Sequence, residues 1–138
     1  MEGSSREQQN LAAVRALWSA SRYGGTDAAI ALLEPVAEWR LHIYPDRVLT
    51  TAEFADTLRH IERDRHVTSA QLHKVEVDGD FVVAAGSFRW SGDDGGIIDF
   101  RGYWVYECAD GRIVRGESFA DWSDAVESFS AQVANRAL

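Results

Sequence analysis

Asp78-Gly79 and Asp110-Gly111 each stand between runs in which apolar and polar residues alternate. A two-residue hairpin turn needs positive φ at both central residues, and Asp-Gly meets that need. Between the two pairs lies a longer glycine loop, Ser91-Gly-Asp-Asp-Gly-Gly96. Three turns imply four consecutive antiparallel strands, over residues 68–77, 80–90, 97–107 and 112–120.

Upstream of this meander the period is helical. Ser4 with Glu7, or Ser5 with Gln8, has the spacing of a capping box, and Leu11, Val14, Leu17, Trp18 and Ser21 follow as one stripe. Gly24-Gly25 stops that helix, because glycine readily takes the left-handed conformation of a C-terminal cap. Thr26 or Asp27 opens a short second helix through Leu33, ended by Pro35. Residues 38–42 alternate as a half-buried strand does. Thr50 with Glu53 caps a third helix whose stripe is Phe54, Leu58 and Ile61. A last helix starts near Asp121 or Ser123 and carries Trp122, Ala125, Val126, Phe129 and Val133 on one side.

Helices followed by a long meander read as α+β, with the helices on one face of the sheet. The chain of 138 residues is one domain, 1–138, with no repeat or linker. Too few strands are present to close a barrel, so the helices cover the concave side and leave a cavity between the layers. Five Trp, six Phe and four Tyr are enough to wall such a cavity as well as fill a core.

The net charge of −8 disfavours nucleic acid and anionic membranes as partners. The nearest basic cluster, Arg59, Arg63, Arg65 and His66, is interrupted by Glu62 and Asp64 and reads as a solvated helix end. A lone cysteine, Cys108, excludes an internal disulfide and fits a reducing compartment. It falls beside a hairpin turn with no histidine near it in sequence, which favours a structural role. No apolar run spans a bilayer, and the polar start Met1-Glu-Gly-Ser-Ser-Arg is no signal peptide, so a cytoplasmic location is expected. His60, His66 and His73 lack zinc spacing, and the glycine loop lacks the lysine of a phosphate loop. No metal and no cofactor is expected.

Two stretches carry a family likeness. One runs from Val14-Arg-Ala-Leu-Trp through Gly25 to Ala31-Leu-Leu-Glu-Pro-Val-Ala-Glu-Trp-Arg. The other is Phe100-Arg-Gly-Tyr-Trp-Val-Tyr-Glu-Cys-Ala-Asp-Gly-Arg-Ile-Val, followed by Phe119-Ala-Asp and a terminal helix. With the element order α-α-β-α-β-β-β-β, the chain resembles the SnoaL-like branch of the nuclear-transport-factor-2-like superfamily. That resemblance implies a cone-shaped, curved antiparallel sheet wrapped around helices. It leaves the activity open, since the fold hosts cyclases, isomerases, epoxide hydrolases, dehydratases and binding modules.

Counted back from Asp110-Gly111, the catalytic positions of limonene-epoxide-hydrolase-like members fall on Ala85, Ser87 and Ser118, none ionisable. Those of ketosteroid-isomerase-like members fall on Leu17 or Trp18, on Leu41 and on Tyr103, so the base is missing and only Tyr103 keeps a hydroxyl. The same count turns Asp99, Arg101, Tyr103 and Val105 inward, flanked by Ala85, Ser87 and Arg89 and by Gly116, Ser118 and Ala120. Asp99 is then the candidate base, Arg101 an anion clamp and Tyr103 a hydroxyl donor. His42 is the second candidate base. Trp18, Trp39, Phe54 and Leu58 form the apolar wall, with Ser87 and Ser118 leaving room for a ligand.

The reading that follows is a protein that binds a small, largely apolar molecule. Its rival is a cofactor-free lyase, isomerase or cyclase-like enzyme using Asp99 or His42 with Tyr103. A third reading is a protein-interaction module. The same alternation sends Phe88, Trp90, Phe100, Trp104 and Tyr106 to the outer face, an apolar patch that implies a homodimer unless the terminal helix covers it.

Overall fold

The computed structural model describes residues 2–63 and 65–137; Met1, Asp64, Leu138 and the side chains of Glu2, Ser4 and Ile61 lie outside the described residues. The elements are α1 (Glu2–Ile30), β1 (Glu38–Arg40), α2 (Thr51–Ile61), β2 (Arg65–Asp78), β3 (Phe81–Gly92), β4 (Ile97–Ala109), β5 (Arg112–Phe119) and α3 (Trp122–Ala137).

Helix α1 begins at Glu2, so Ser5 lies inside it rather than capping it. It breaks at Gly25, where φ of 72° and ψ of −163° leave the helical region. Glycine adopts that conformation without the Cβ clash other residues meet. The short helix expected from Thr26 or Asp27 is the continuation beyond this break. Hydrogen bonds from Leu32 N to Ala29 O and from Leu33 N to Ile30 O then tighten the last turn.

The capping box on α2 forms as the spacing implies. Glu53 N donates to Thr50 Oγ1, and Thr50 N donates to Glu53 Oε1. At the other end of the molecule, Glu7 and Asn10 of α1 hold the Asp78-Gly79 turn. Gly79 N donates to Glu7 Oε2 at 3.0 Å, and Asn10 Nδ2 donates to Gly79 O at 2.9 Å.

The strands form one sheet in the order β1-β5-β4-β3-β2. The four-strand meander is antiparallel. Strand β1 joins it parallel to β5, which makes the sheet mixed rather than wholly antiparallel. It is also shorter than residues 38–42, because the chain turns at Leu41, whose carbonyl accepts from Tyr44 N. Two register shifts interrupt β2, between Val67 and Ser69 and between Leu72 and Lys74. A third sits in the β4–β5 hairpin, where Glu107 pairs with Arg115 but Cys108 pairs with Ile113. Val114 is the extra residue. Bulges bend and twist the strand that carries them, and here they curve the open sheet.

Helices α1 and α2 pack into the concave side, over a core that includes Val14, Leu17, Trp18, Trp39, Phe54, Val82, Ala84 and Tyr106. Helix α3 lies on the convex side, where Ala125 and Phe129 meet Phe81, Val83 and Val105. The expectation that all helices share one face is therefore corrected. Residues 81, 83 and 105 are apolar on the face opposite the cone, and they need a cover of their own.

Candidate functional site

The concave side encloses a cavity of about 230 Å³. Its wall is almost entirely apolar and aromatic. One run of rings passes from Trp18 to Phe88 (centroids 4.4 Å apart), to Trp90 and to Phe100 at the mouth. A second stacks Tyr106 on Trp104 at 5.6 Å, and Trp104 meets Trp39 and Phe54 edge-on. Glycine on the strands beneath makes this possible. A Cβ at Gly116 would lie 2.2 Å from Trp39 Cζ3, and one at Gly86 would lie 2.5 Å from Trp18 Cζ3. No real Cβ contact is that short, so both indoles rest where only glycine leaves space.

Polar groups are few and mostly committed. Trp39 Nε1 donates to Thr51 Oγ1 at 3.0 Å, and Trp90 Nε1 to Glu62 Oε1 at 3.4 Å. The hydroxyls of Ser21 and Thr57 donate back to carbonyls of their own helices. Trp18 Nε1 donates to the Tyr106 hydroxyl at 3.1 Å. Burial pushes the Tyr106 phenol well above its ordinary value, so it keeps its proton. At the rim, Ser118 Oγ accepts from His42 N at 3.1 Å and lies 2.8 Å from His42 Nδ1.

Of the residues singled out in the sequence, Trp18, Trp39, Phe54, Leu58, His42 and Ser118 line this cavity together. Asp99, Arg101 and Ser87 do not join them; they line an open groove on the convex face with His73, Lys74 and Trp122. Tyr103 borders both spaces, but its ring packs against the cluster under α3. Asp99 pairs with Arg89, not with Arg101, through two bonds of 2.7 and 3.1 Å. The Arg89 hydrogen bonds hold its carboxyl below the ordinary value, which makes it a weak base as well as a distant one. Ser87 is hydrogen-bonded to His73 at 2.8 Å.

The strand pairings Ala85–Tyr103, Ser87–Arg101 and Arg89–Asp99 form as expected, but on the convex face. The bulge at Val114 is why Ser118 parted company with Tyr103. Counting evenly from the turn sets Ser118 opposite Tyr103, whereas the extra residue sets it opposite Trp104 and turns it into the cone. It follows that Phe88, Trp90, Phe100, Trp104 and Tyr106 are the inner wall. They are not an outer patch, and the surface that implied a homodimer is absent from the convex face.

The cavity residues the sequence reading missed had a signal. Gly86 and Gly102 are paired on adjacent strands, and glycine inside a strand marks close approach by another group. No concave position of β3, from Val82 through Ala84, Gly86 and Phe88 to Trp90, carries an ionisable side chain. Cys108 is buried, and desolvation pushes its thiol up to about 12, which fits a structural role. Among the described residues no three His, Cys, Asp or Glu side chains gather as a metal site needs. Nor is any described helix long and apolar enough to cross a membrane.

A family model for the SnoaL-like domain matches residues 9–116. The chain belongs to the SnoaL-like family. The solved structures similar to it place that family in the nuclear-transport-factor-2-like fold. One is a proposed polyketide cyclase of Xanthomonas campestris pv. campestris, 21% identical with a TM-score of 0.66, over 93% of this chain and 98% of that one. Another is an LEH-like epoxide hydrolase of M. tuberculosis, 18% identical with a TM-score of 0.66, over 91% and 92%. A third is an NTF2-like protein of unknown function from Burkholderia pseudomallei K96243, 18% identical with a TM-score of 0.62, over 88% and 98%. At these identities the likeness shows the fold alone. No curated protein matches the chain.

Proposed function

We propose that this SnoaL-like protein binds one small, largely apolar, ring-bearing molecule inside its cone. The observation that carries this reading is the cavity of about 230 Å³ walled by stacked aromatic rings. Apolar space held open beside flat rings favours a flat apolar guest, because each Å² it removes from water contributes about 25 cal/mol. The open end, with Ile43, Ile98 and Phe100 beside His42, gives such a guest an entrance. Titration with the uncharged dye N-phenyl-1-naphthylamine tests it. Saturable binding with enhanced emission is expected, and Leu58→Trp, which fills part of the wall, abolishes it while the protein stays folded. Dye binding unaffected by Leu58→Trp would contradict the cavity as the site.

The His42–Ser118 contact favours one further reading, a cofactor-free lyase, isomerase or cyclase-like enzyme. A serine hydroxyl can donate to Nδ1 of neutral imidazole and accept from it once the ring is protonated. Ser118 would thereby hold the ring while Nε2 exchanges a proton with a bound substrate. Asp99 and Tyr103, on the convex side, have no part in this version. Loss of turnover in His42→Gln with retention in Asp99→Asn is the pattern that supports it.

A further inference from the structure

Four tryptophans line the cavity, and three of their N–H groups are spoken for: Trp18 by Tyr106, Trp39 by Thr51 and Trp90 by Glu62. Trp104 Nε1 is the exception, with no acceptor among the described residues. That nitrogen lies over Gly102, where an added Cβ would come within 3.2 Å of it, so the glycine leaves it room. Two residues along the same strand face, Tyr106 repeats the situation. Its hydroxyl accepts from Trp18, and a phenol has one proton of its own to give, yet no described group accepts it. Tyr106 is 2% exposed, so bulk water does not serve it. The two rings lie parallel, 7° apart in plane. The Tyr106 proton is thus a buried donor without an acceptor, and leaving it so costs free energy that a suitable guest recovers, while the half-buried Trp104 Nε1 stays open to the same guest.

We infer that the cavity selects a guest bearing an uncharged acceptor oxygen, a carbonyl or ether, which Trp104 Nε1–H and the Tyr106 hydroxyl bind. The inference rests on the cavity being a ligand site. Donors alone would also suit a carboxylate, but no Lys or Arg lines the cavity, and an unpaired anion does not enter an apolar site. A guest hydroxyl gains less, because its oxygen accepts as an ether's does while its own proton has no acceptor on the Trp104 indole and must compete with Trp18 for the Tyr106 oxygen.

The pair tetralin and 1-tetralone tests this, the two differing chiefly by one carbonyl oxygen. Affinities are measured by NMR titration for the intact protein and for Trp104→Phe and Tyr106→Phe, each of which removes the donor and keeps an aromatic ring in place. The expected result is that each variant loses about fivefold in 1-tetralone affinity, and less than about twofold for tetralin, as one hydrogen bond of ordinary net strength implies. The Trp104 indole proton should also move downfield with 1-tetralone and not with tetralin. Equal losses for both ligands, or none for either, overturn the acceptor-oxygen inference while leaving the cavity reading in place. Failure of the intact protein to bind either ligand overturns both.

Discussion

His42 and Ser118 meet twice, once through the backbone N–H and once through Nδ1, both on the same serine oxygen. Ser118 is 7% exposed and sits opposite Trp104, on the one stretch of β5 that the bulge at Val114 turns inward. With one lone pair taken by His42 N–H, the hydroxyl is best satisfied by giving its proton to Nδ1. The neutral ring then carries its hydrogen on Nε2. Nitrogen-15 spectra of His42 should show that tautomer, and Ser118→Ala should give a mixture with a loss of about 1 kcal/mol in stability. A pure Nδ1–H tautomer in the intact protein would contradict the assignment.

Gly116 faces Trp39, which is fully buried and anchored to Thr51. Gly116→Ala places a methyl where the indole already stands, and the fixed ring has little freedom to retreat. Overpacking of this kind costs about 1–3 kcal/mol, which thermal unfolding would register as a Tm lowered by several degrees. Gly95→Ala, in open space but at φ of 83°, should cost about 1 kcal/mol through backbone strain alone. A Gly116 variant as stable as the unaltered protein would argue against the close approach.

Asp99 is bound to Arg89 on an exposed strand face, and those hydrogen bonds lower its pKa from 3.8. A carboxyl whose pKa falls on folding adds stability above 3.8 and loses that contribution as pH drops through the lowered value. Both groups are solvated, so the effect on Tm is small. The carboxyl resonance is the better readout: its midpoint should lie below 3.8 and rise in Arg89→Gln. Asp99→Asn should leave cavity binding unchanged at neutral pH, and a loss of binding there would return Asp99 to the site.

Local chemistry made much of this fold readable. The Asp-Gly pairs produce their hairpins, Thr50 and Glu53 form their capping box, and Gly25 breaks α1 where a left-handed residue was needed. The inward-facing set on β4 was not readable by the same means. Alternation assigns residues to two faces but does not say which face is inside. Both faces of the centre of this sheet are covered, by α1 on one side and α3 on the other, so Trp104 and Val105 alike look buried from the sequence. The bulge at Val114 leaves no mark in composition, yet it decides that Ser118 joins Trp104. The helix and β1 contributions, Trp18, Phe54, Leu58 and Trp39, depend on no such count and were found from their stripes.

The claim that the concave cavity is the ligand site is tested most directly by intermolecular NOEs from bound 1-tetralone to the labelled protein. The guest's ring protons should contact the aromatic protons of Trp18, Phe54 and Trp104, with none to Trp122 across the sheet. NOEs confined to Tyr103 and Trp122 would place the guest in the convex groove and contradict the account.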